Sequence, residues 1–290
     1  MKNFFLFIGV IALFTACTGQ VQETNKTQET MENKLMIPEI QQDEVFAGIN
    51  LTVAEGKRLI AKRIAHHPQV KERLQKGMVI ITSGTTNTYI AEELANLNAP
   101  HGSLMTGNFI PQNRKNIAEG LTRVPNIVLI DGQQVNMDYE EALQQMQEGD
   151  IVFKGANLLN YAKQQVAVCI GAPDGGTTAR IRKAEKAHLI VPIGLEKETS
   201  GDLYAYEKLF ENTNERISYV SRVWVHHNAE IFTEIEAVKT IAAVNVVPFG
   251  AGGIAGREGG ISLAVYGAKE EVQKVLDFVA IIQGEKPFVE

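Results

Sequence analysis

The sequence predicts an α/β fold, a parallel sheet covered by helices over residues 52–200, followed by a smaller α+β lobe over residues 201–290. Three observations carry this expectation. Five compact apolar runs, Met78–Ile81, Ile127–Ile130, Ile151–Phe153, 166–170 and 189–193, do not alternate with polar residues. Continuous apolar strands are what a parallel sheet buried on both faces requires. Stretches of helical periodicity lie between these runs, and beyond Gly201 the pattern changes to short runs broken by glycine.

In chain order, Thr52-Val53-Ala54-Glu55 reads as a capping box that opens a helix with Leu59, Ile60 and Ile64 on its apolar face. A second short helix follows from Pro68 to Gln75 and is closed by Gly77. Helical stretches are expected at 87–97, with Ile90, Leu94 and Leu97 on one face, at 140–147 and at 178–187. The C-terminal part reads as helix 203–210, an extended run 217–225, helix 233–243, strand 244–249, a glycine-rich turn at 250–256, strand 260–266 and a final helix. That last helix carries Val272, Val275, Leu276, Val279 and Ile282 at helical spacing. This β-α-β-β-α order fits a small sandwich of ferredoxin-like type.

With 290 residues, 44% of them hydrophobic and 21% charged, the chain can build a sizeable core. Its net charge of −6 and the lack of any Lys/Arg block argue against a nucleic-acid partner. The two cysteines differ in setting. Cys169 lies in an apolar run and reads as an inert core thiol. Cys17 follows a basic start, an apolar run from Phe4 to Phe14 and the small pair Thr15-Ala16. That layout is a secretory signal, too short for a membrane span, which needs about 20 apolar residues. Its end, Leu13-Phe14-Thr15-Ala16-Cys17, resembles a bacterial lipoprotein signal. The resemblance implies cleavage after residue 16 and acyl chains such as palmitate on Cys17. The protein is then expected at a membrane of the cell envelope, held by lipid. Residues 17–51 are expected to be lipid anchor and flexible tether, because 18–43 is rich in Gln, Glu, Thr and Asn and poor in apolar groups.

Two loops share one chemical logic. Ser83-Gly84-Thr85-Thr86-Asn87 and Asp174-Gly175-Gly176-Thr177-Thr178 each follow an apolar run and precede a helical stretch. Free N–H groups and the positive end of the helix dipole suit a phosphate or carboxylate there, and the same Ser and Thr residues serve equally as helix caps. In an open parallel sheet both loops would emerge at the carboxyl edge, where ligands bind. Neither has the Gly-Lys-Ser/Thr of a nucleotide phosphate loop or the Gly-x-Gly-x-x-Gly of a dinucleotide site. Asp131, Lys154 and Glu196 stand just past other apolar runs and are candidate proton-transfer groups toward a carbonyl compound, against the alternative of turn and surface residues. His66-His67 and His226-His227 are adjacent pairs whose side chains diverge, so no metal site is expected. No Gly-x-Ser-x-Gly elbow is present.

Residues 56–200, most clearly 56–97, resemble the superfamily of phosphosugar isomerases, deaminases, CoA transferases and DeoR-type sugar-phosphate sensors. The resemblance rests on Lys76-Gly77-Met78-Val79-Ile80, on Ser83-Gly84-Thr85-Thr86, and on Asp150-Ile151-Val152-Phe153 and Ala187-His188-Leu189-Ile190-Val191-Pro192 as later strands. It implies that Ser83, Gly84, Thr85 and Thr86 bind a substrate phosphate. The family's Lys-Gly-Gly-Gly-Gly and Glu-Asn-Gly segments are not in this sequence, so Asp131 and Lys154 receive no implied role. The expected function is an envelope-anchored protein that binds a small anionic metabolite, phosphorylated or carboxylated, without a cofactor. A phosphosugar isomerase-like enzyme is the second reading, and an interaction module with a vestigial pocket the third.

Overall fold

Burial without alternation marks the strands at the centre of the molecule. The computed structural model describes residues 37–105, 110, 117–172, 174–211, 215, 217 and 221–288. The signal segment, Cys17 and the stretch 18–36 therefore lie outside the described residues. Every residue of β2 (Met78–Ile81) and β5 (Ile151–Phe153) is buried, as are the last four of β8 (His188–Pro192). Each fully buried Ile, Leu or Phe side chain contributes roughly 1.5–3 kcal/mol.

These strands form a mixed six-stranded sheet that also contains β3 (Ile127–Ile130), β4 (Gln133–Val135) and β10 (Glu230–Phe232). Its order is β10-β8-β5-β2-β3-β4. The first four run parallel, and β3 and β4 run antiparallel at one end. Asp131 and Gly132, with φ of 49° and 75°, make the tight turn between β3 and β4.

Helix α1 (Val53–Ile64) opens on the capping box expected at Thr52 and Glu55. It packs between α3 (Thr85–Ala95) and α7 (Glu234–Lys239), and buries Leu59, Ile60 and Ile64 completely. Helix α2 (Pro68–Gln75) leads into β2. Helices α4 (Tyr139–Gln145) and α5 (Gly176–Lys183) follow β4 and β7 (Gln165–Ile170).

Two antiparallel sheets complete the molecule. One has the order β6-β7-β9, with β6 at Leu158–Asn160 and β9 at Arg222–Val225. It shares a small apolar cluster, Ala167, Val223 and Val225, with Leu203 of α6 (Leu203–Glu211). The other has the order β1-β12-β11, formed by Val45–Leu51, Ile261–Gly267 and Asn245–Ala251. Helix α8 (Lys269–Ile282) covers its inner face with Val272, Val275, Val279 and Ile282. Those side chains belong to the same apolar core as the parallel strands.

Several expectations are corrected. No strand boundary falls at residue 201: β10 pairs with β8, β9 with β7, and β1 with β12. Residues 39–290 accordingly form one compact unit. A separate ferredoxin-like lobe does not form, because the strands assigned to it are divided between two sheets and β10, which was not foreseen, joins the third. The end of the expected tether is a strand. Phe46, Gly48 and Asn50 of β1 face outward, and Ile49 and Leu51 are buried, the alternation of an antiparallel strand with one solvated face. The run 166–170 is not part of the parallel sheet but pairs antiparallel with β6 and β9. A short apolar run reports burial on both faces and carries no information about direction or partner.

Candidate functional site

The four parallel strands end at one edge of the large sheet. Ser83 and Gly84 follow β2, Lys154 follows β5, a 3-10 turn at Leu195–Lys197 follows β8, and Thr233 and Glu234 follow β10. Antiparallel β3 begins at this same edge, which brings Asn126 beside Ser83. The Ser83 N–H donates to Asn126 Oδ1 at 2.8 Å. Ile130, at the far end of β3, pairs with Met78, the first residue of β2. Asp131 therefore lies at the opposite edge, where its carboxylate accepts from the Gly77 N–H at 2.8 Å. It is a turn residue and takes no part in the site.

Beside β2 the edge opens into a cleft of about 390 Å³ lined by Ser83, Met105, Arg123, Asn126, Asp138 and Tyr139, among others. Helix α3 starts here. No side chain caps it, and the N–H groups of Thr85, Thr86 and Asn87 have no acceptor among the described residues. Arg123 is exposed and makes no ion pair among the described residues. Asp138 is occupied in capping α4, accepting from the Glu140 N–H at 2.8 Å. Asn87, expected where the loop meets the helix as a ligand-binding residue, is fully buried in the first turn of α3. Its Nδ2 donates to Thr82 O at 2.8 Å and to Phe153 O at 3.1 Å, tying the ends of β2 and β5 together. Its Oδ1 and the Thr86 hydroxyl, both buried, have no hydrogen-bond partner.

Lys154 stands at the end of β5, one residue beyond that carbonyl. Its N–H donates to Ile190 O, but its side chain makes no hydrogen bond or ion pair among the described residues. Burial, with no compensating carboxylate, lowers its pKa to about 8. The residue is only partly closed off from solvent. Beside it lies His226, 4% exposed, with neither ring nitrogen in a hydrogen bond of ordinary geometry. Burial first, then the Lys154 charge, lowers the imidazole pKa to about 3, and the Gly155 backbone opposes this weakly. His226 is neutral at physiological pH.

Glu196 joins a second group of charges further along the edge. Glu234 is 2% exposed, and its Oε2 accepts from the Leu195 N–H at 2.9 Å. Burial and then the neighbouring Glu196 raise the Glu234 pKa far above the carboxylate range. Lys57 of α1, also buried, is shifted down by burial and by Lys197, with Glu196 and Glu234 acting against the shift. Gly56 makes this approach possible, since a Cβ there would stand 2.7 Å from Glu234 Oε1. The result is a closed set of two carboxylates and two amines. Glu196 is placed as a partner in it rather than as a group facing the cleft.

The second loop rises from the antiparallel sheet. Gly175, with φ of 77°, sits on the Trp224 ring, where a Cβ would approach to 2.6 Å. Asp174 Oδ1 accepts from the Gly176 N–H at 3.1 Å, and the Asp174 side chain is largely exposed. Thr178 is fully buried with its hydroxyl unpaired. Thr177 is the polar neighbour of the Tyr139 phenol and lowers its pKa, against burial that raises it, although the pair falls outside ordinary hydrogen-bond geometry. Tyr139 thus lies between the two loops: it lines the same cleft as Ser83 and has Thr177 beside its phenol.

Arg123, Tyr139 and His226 are the groups that sequence reasoning did not single out. Arg123, on a loop, and Tyr139, the first residue of α4, reach the cleft from positions far from Ser83 in the chain, and no local motif marks them. His226 was weighed only with His227, as an adjacent pair whose diverging side chains argue against a metal site. Among the described residues no three His, Cys, Asp or Glu side chains are placed to hold a metal ion. Nor is any described helix long and apolar enough to cross a membrane. Cys169 is partly buried, and burial raises its thiol pKa. Comparison with known families, with curated proteins and with solved structures finds no match.

Proposed function

We propose that this protein binds a small anionic metabolite, a phosphate ester or a carboxylate, in the cleft beside Ser83, and that it does so as an exported protein anchored by lipid on Cys17. The observation that carries the reading is the cleft itself. Arg123, without an ion pair among the described residues, lines one opening of about 390 Å³ together with Ser83, which stands just before the uncapped N-terminus of α3. Positive dipole, free N–H donors and a cation together favour a negatively charged occupant. Descent from the phosphosugar isomerase superfamily is part of the same reading, since the loop that resembles the family's phosphate loop is the one at this cleft.

Calorimetry on the full chain in detergent tests it, with inorganic phosphate, a sugar phosphate and a dicarboxylate as probes. Binding is expected to weaken about 10–100-fold in Arg123→Gln, the equivalent of one charge-assisted hydrogen bond of roughly 1.5–3 kcal/mol. Thr85→Val should leave the fold intact and reduce the affinity less. No binding of any probe, or binding indifferent to Arg123→Gln, would leave the cleft as the vestigial pocket of an interaction module.

A further inference from the structure

We infer that Lys154 forms an imine with the carbonyl carbon of a small anionic aldehyde or ketone, with His226 as the proton carrier. This rests on the anion-binding reading of the adjoining cleft and gives the ligand a second functional group.

The geometry starts with the Phe153 carbonyl. It accepts from the Thr82 N–H at 3.1 Å, the Thr82 hydroxyl at 2.8 Å and Asn87 Nδ2 at 3.1 Å. Three donors thus pin the residue before Lys154 to the loop that begins the cleft. A lysine beside such a fixed point normally pairs with a carboxylate or extends into water. Lys154 does neither: it is enclosed, unpaired among the described residues, and still reached by solvent. Buried polar atoms without partners lie beside it and one step away, on His226 and on Asn87. The Asn87 amide, bonded to the Phe153 carbonyl, leaves its Oδ1 free, and the buried ring of His226 leaves both nitrogens free. A buried polar group left without a partner is costly, so orphaned ring nitrogens beside an unpaired amine mark a place where a ligand completes the bonding.

The charges facing His226 are Lys154, Arg182 and His227, and Arg182 is itself paired with Glu207. No carboxylate is positioned to hold Lys154 as an ammonium ion. With its pKa at about 8, about a tenth of the amine is neutral at pH 7, against a few parts in ten thousand for an ordinary lysine.

The step balances without an oxidant or reductant. The Nζ lone pair attacks the carbonyl carbon, and the C=O π pair moves to oxygen. One proton leaves nitrogen and one arrives on oxygen, giving a carbinolamine. The second nitrogen proton then follows the same route, the hydroxyl leaves as water, and the nitrogen lone pair closes the C=N bond. A neutral imidazole that accepts at one nitrogen and donates at the other serves both transfers.

The test is reductive trapping. The full chain is incubated with pyruvate, glyoxylate or glycolaldehyde phosphate in the presence of sodium cyanoborohydride, and the adducts are mapped by peptide mass spectrometry. One saturable adduct is expected, on Lys154, formed at least tenfold faster than on any exposed lysine and slowed by inorganic phosphate. Lys154→Arg should abolish it while keeping the charge. Lys154→Met does the same if arginine does not fit. His226→Gln should retain the site and slow the labelling about tenfold or more. Labelling spread over surface lysines without preference for Lys154 overturns the proposal, and an unchanged rate in His226→Gln overturns the role of the histidine. The two readings can fail separately. Anion binding without trapping removes the imine alone, whereas trapping on Lys154 that inorganic phosphate does not slow, with no phosphate binding in calorimetry, removes the anion reading alone.

Discussion

Replacing Lys154 by methionine should make the protein more stable at neutral pH, by about 2–3 kcal/mol. Methionine preserves much of the length of the side chain and removes an ammonium that has no partner. The magnitude follows from the displacement of the Lys154 pKa from 10.5 to about 8. Each unit corresponds to about 1.4 kcal/mol, and the partial opening to solvent trims the total. The sign follows from proton counting. Between pH 8 and 10.5 the unfolded chain holds more protons on this lysine than the folded one, so the wild type gains stability as pH rises through that window. Below pH 8 the cost is constant. Urea denaturation followed by the fluorescence of Trp224, the one tryptophan of the chain, gives the free energies of both proteins at pH 7 and pH 10. The methionine variant should lead at pH 7 and lose most of its lead at pH 10. A variant less stable than wild type at pH 7, or a gap of the same size at both values, would refute the idea that the buried amine is unpaired. A confirmed gain would also be informative for function, because a residue retained at such a cost is of the kind found at reactive centres.

Glu234→Gln should flatten part of the pH dependence at the acid side. The raised pKa means that the folded protein binds a proton at Glu234 which the unfolded chain releases above about pH 4.3, so wild-type stability falls as pH rises from there. The amide keeps an acceptor for the Leu195 N–H, and thermal melts at pH 5 and pH 8 should show the variant losing less than wild type; parallel curves would refute the assignment. Cys17→Ser should shift the protein from the detergent phase to the aqueous phase on phase separation of cell extracts, and unchanged partition would rule out lipid on that thiol.

The parts of the fold legible in the sequence were those where local chemistry and final environment agree. Thr52 and Glu55 read as a capping box because the two bonds close within four residues. Met78–Ile81 and Ile151–Phe153 read as buried strands because nothing polar interrupts them. What stayed hidden depends on partners chosen at long range. The apolar run at β7 looks like its neighbours, yet pairs with β9 rather than joining the large sheet. β10 is only three residues long, too short to show a period. The site divides in the same way. Ser83 and Thr85 were visible as a turn between strand and helix, whereas Arg123 and Tyr139 enter by tertiary folding alone. Lys154 was noticed as a strand end, but its isolation from every carboxylate follows only from how the strands and loops assemble. For Asp131 the turn alternative holds: the same strand-then-Asp-Gly pattern arises at either edge of a sheet, depending on the direction of the strand before it.

The pairing of β1 with β12 has a consequence for the timing of folding. Val45 meets Gly267 and Leu51 meets Ile261, so β1 waits for its partner strand until about 210 further residues have been made. At roughly 5–20 residues per second, a ribosome takes on the order of 10–40 s to travel from one strand to the other. During that interval β1 and the inner face it shares with α8 cannot close, and the apolar core that contains them stays incomplete. The strand taken from sequence for the end of a tether thus becomes a latch that closes only after the strand that pairs with it has been made.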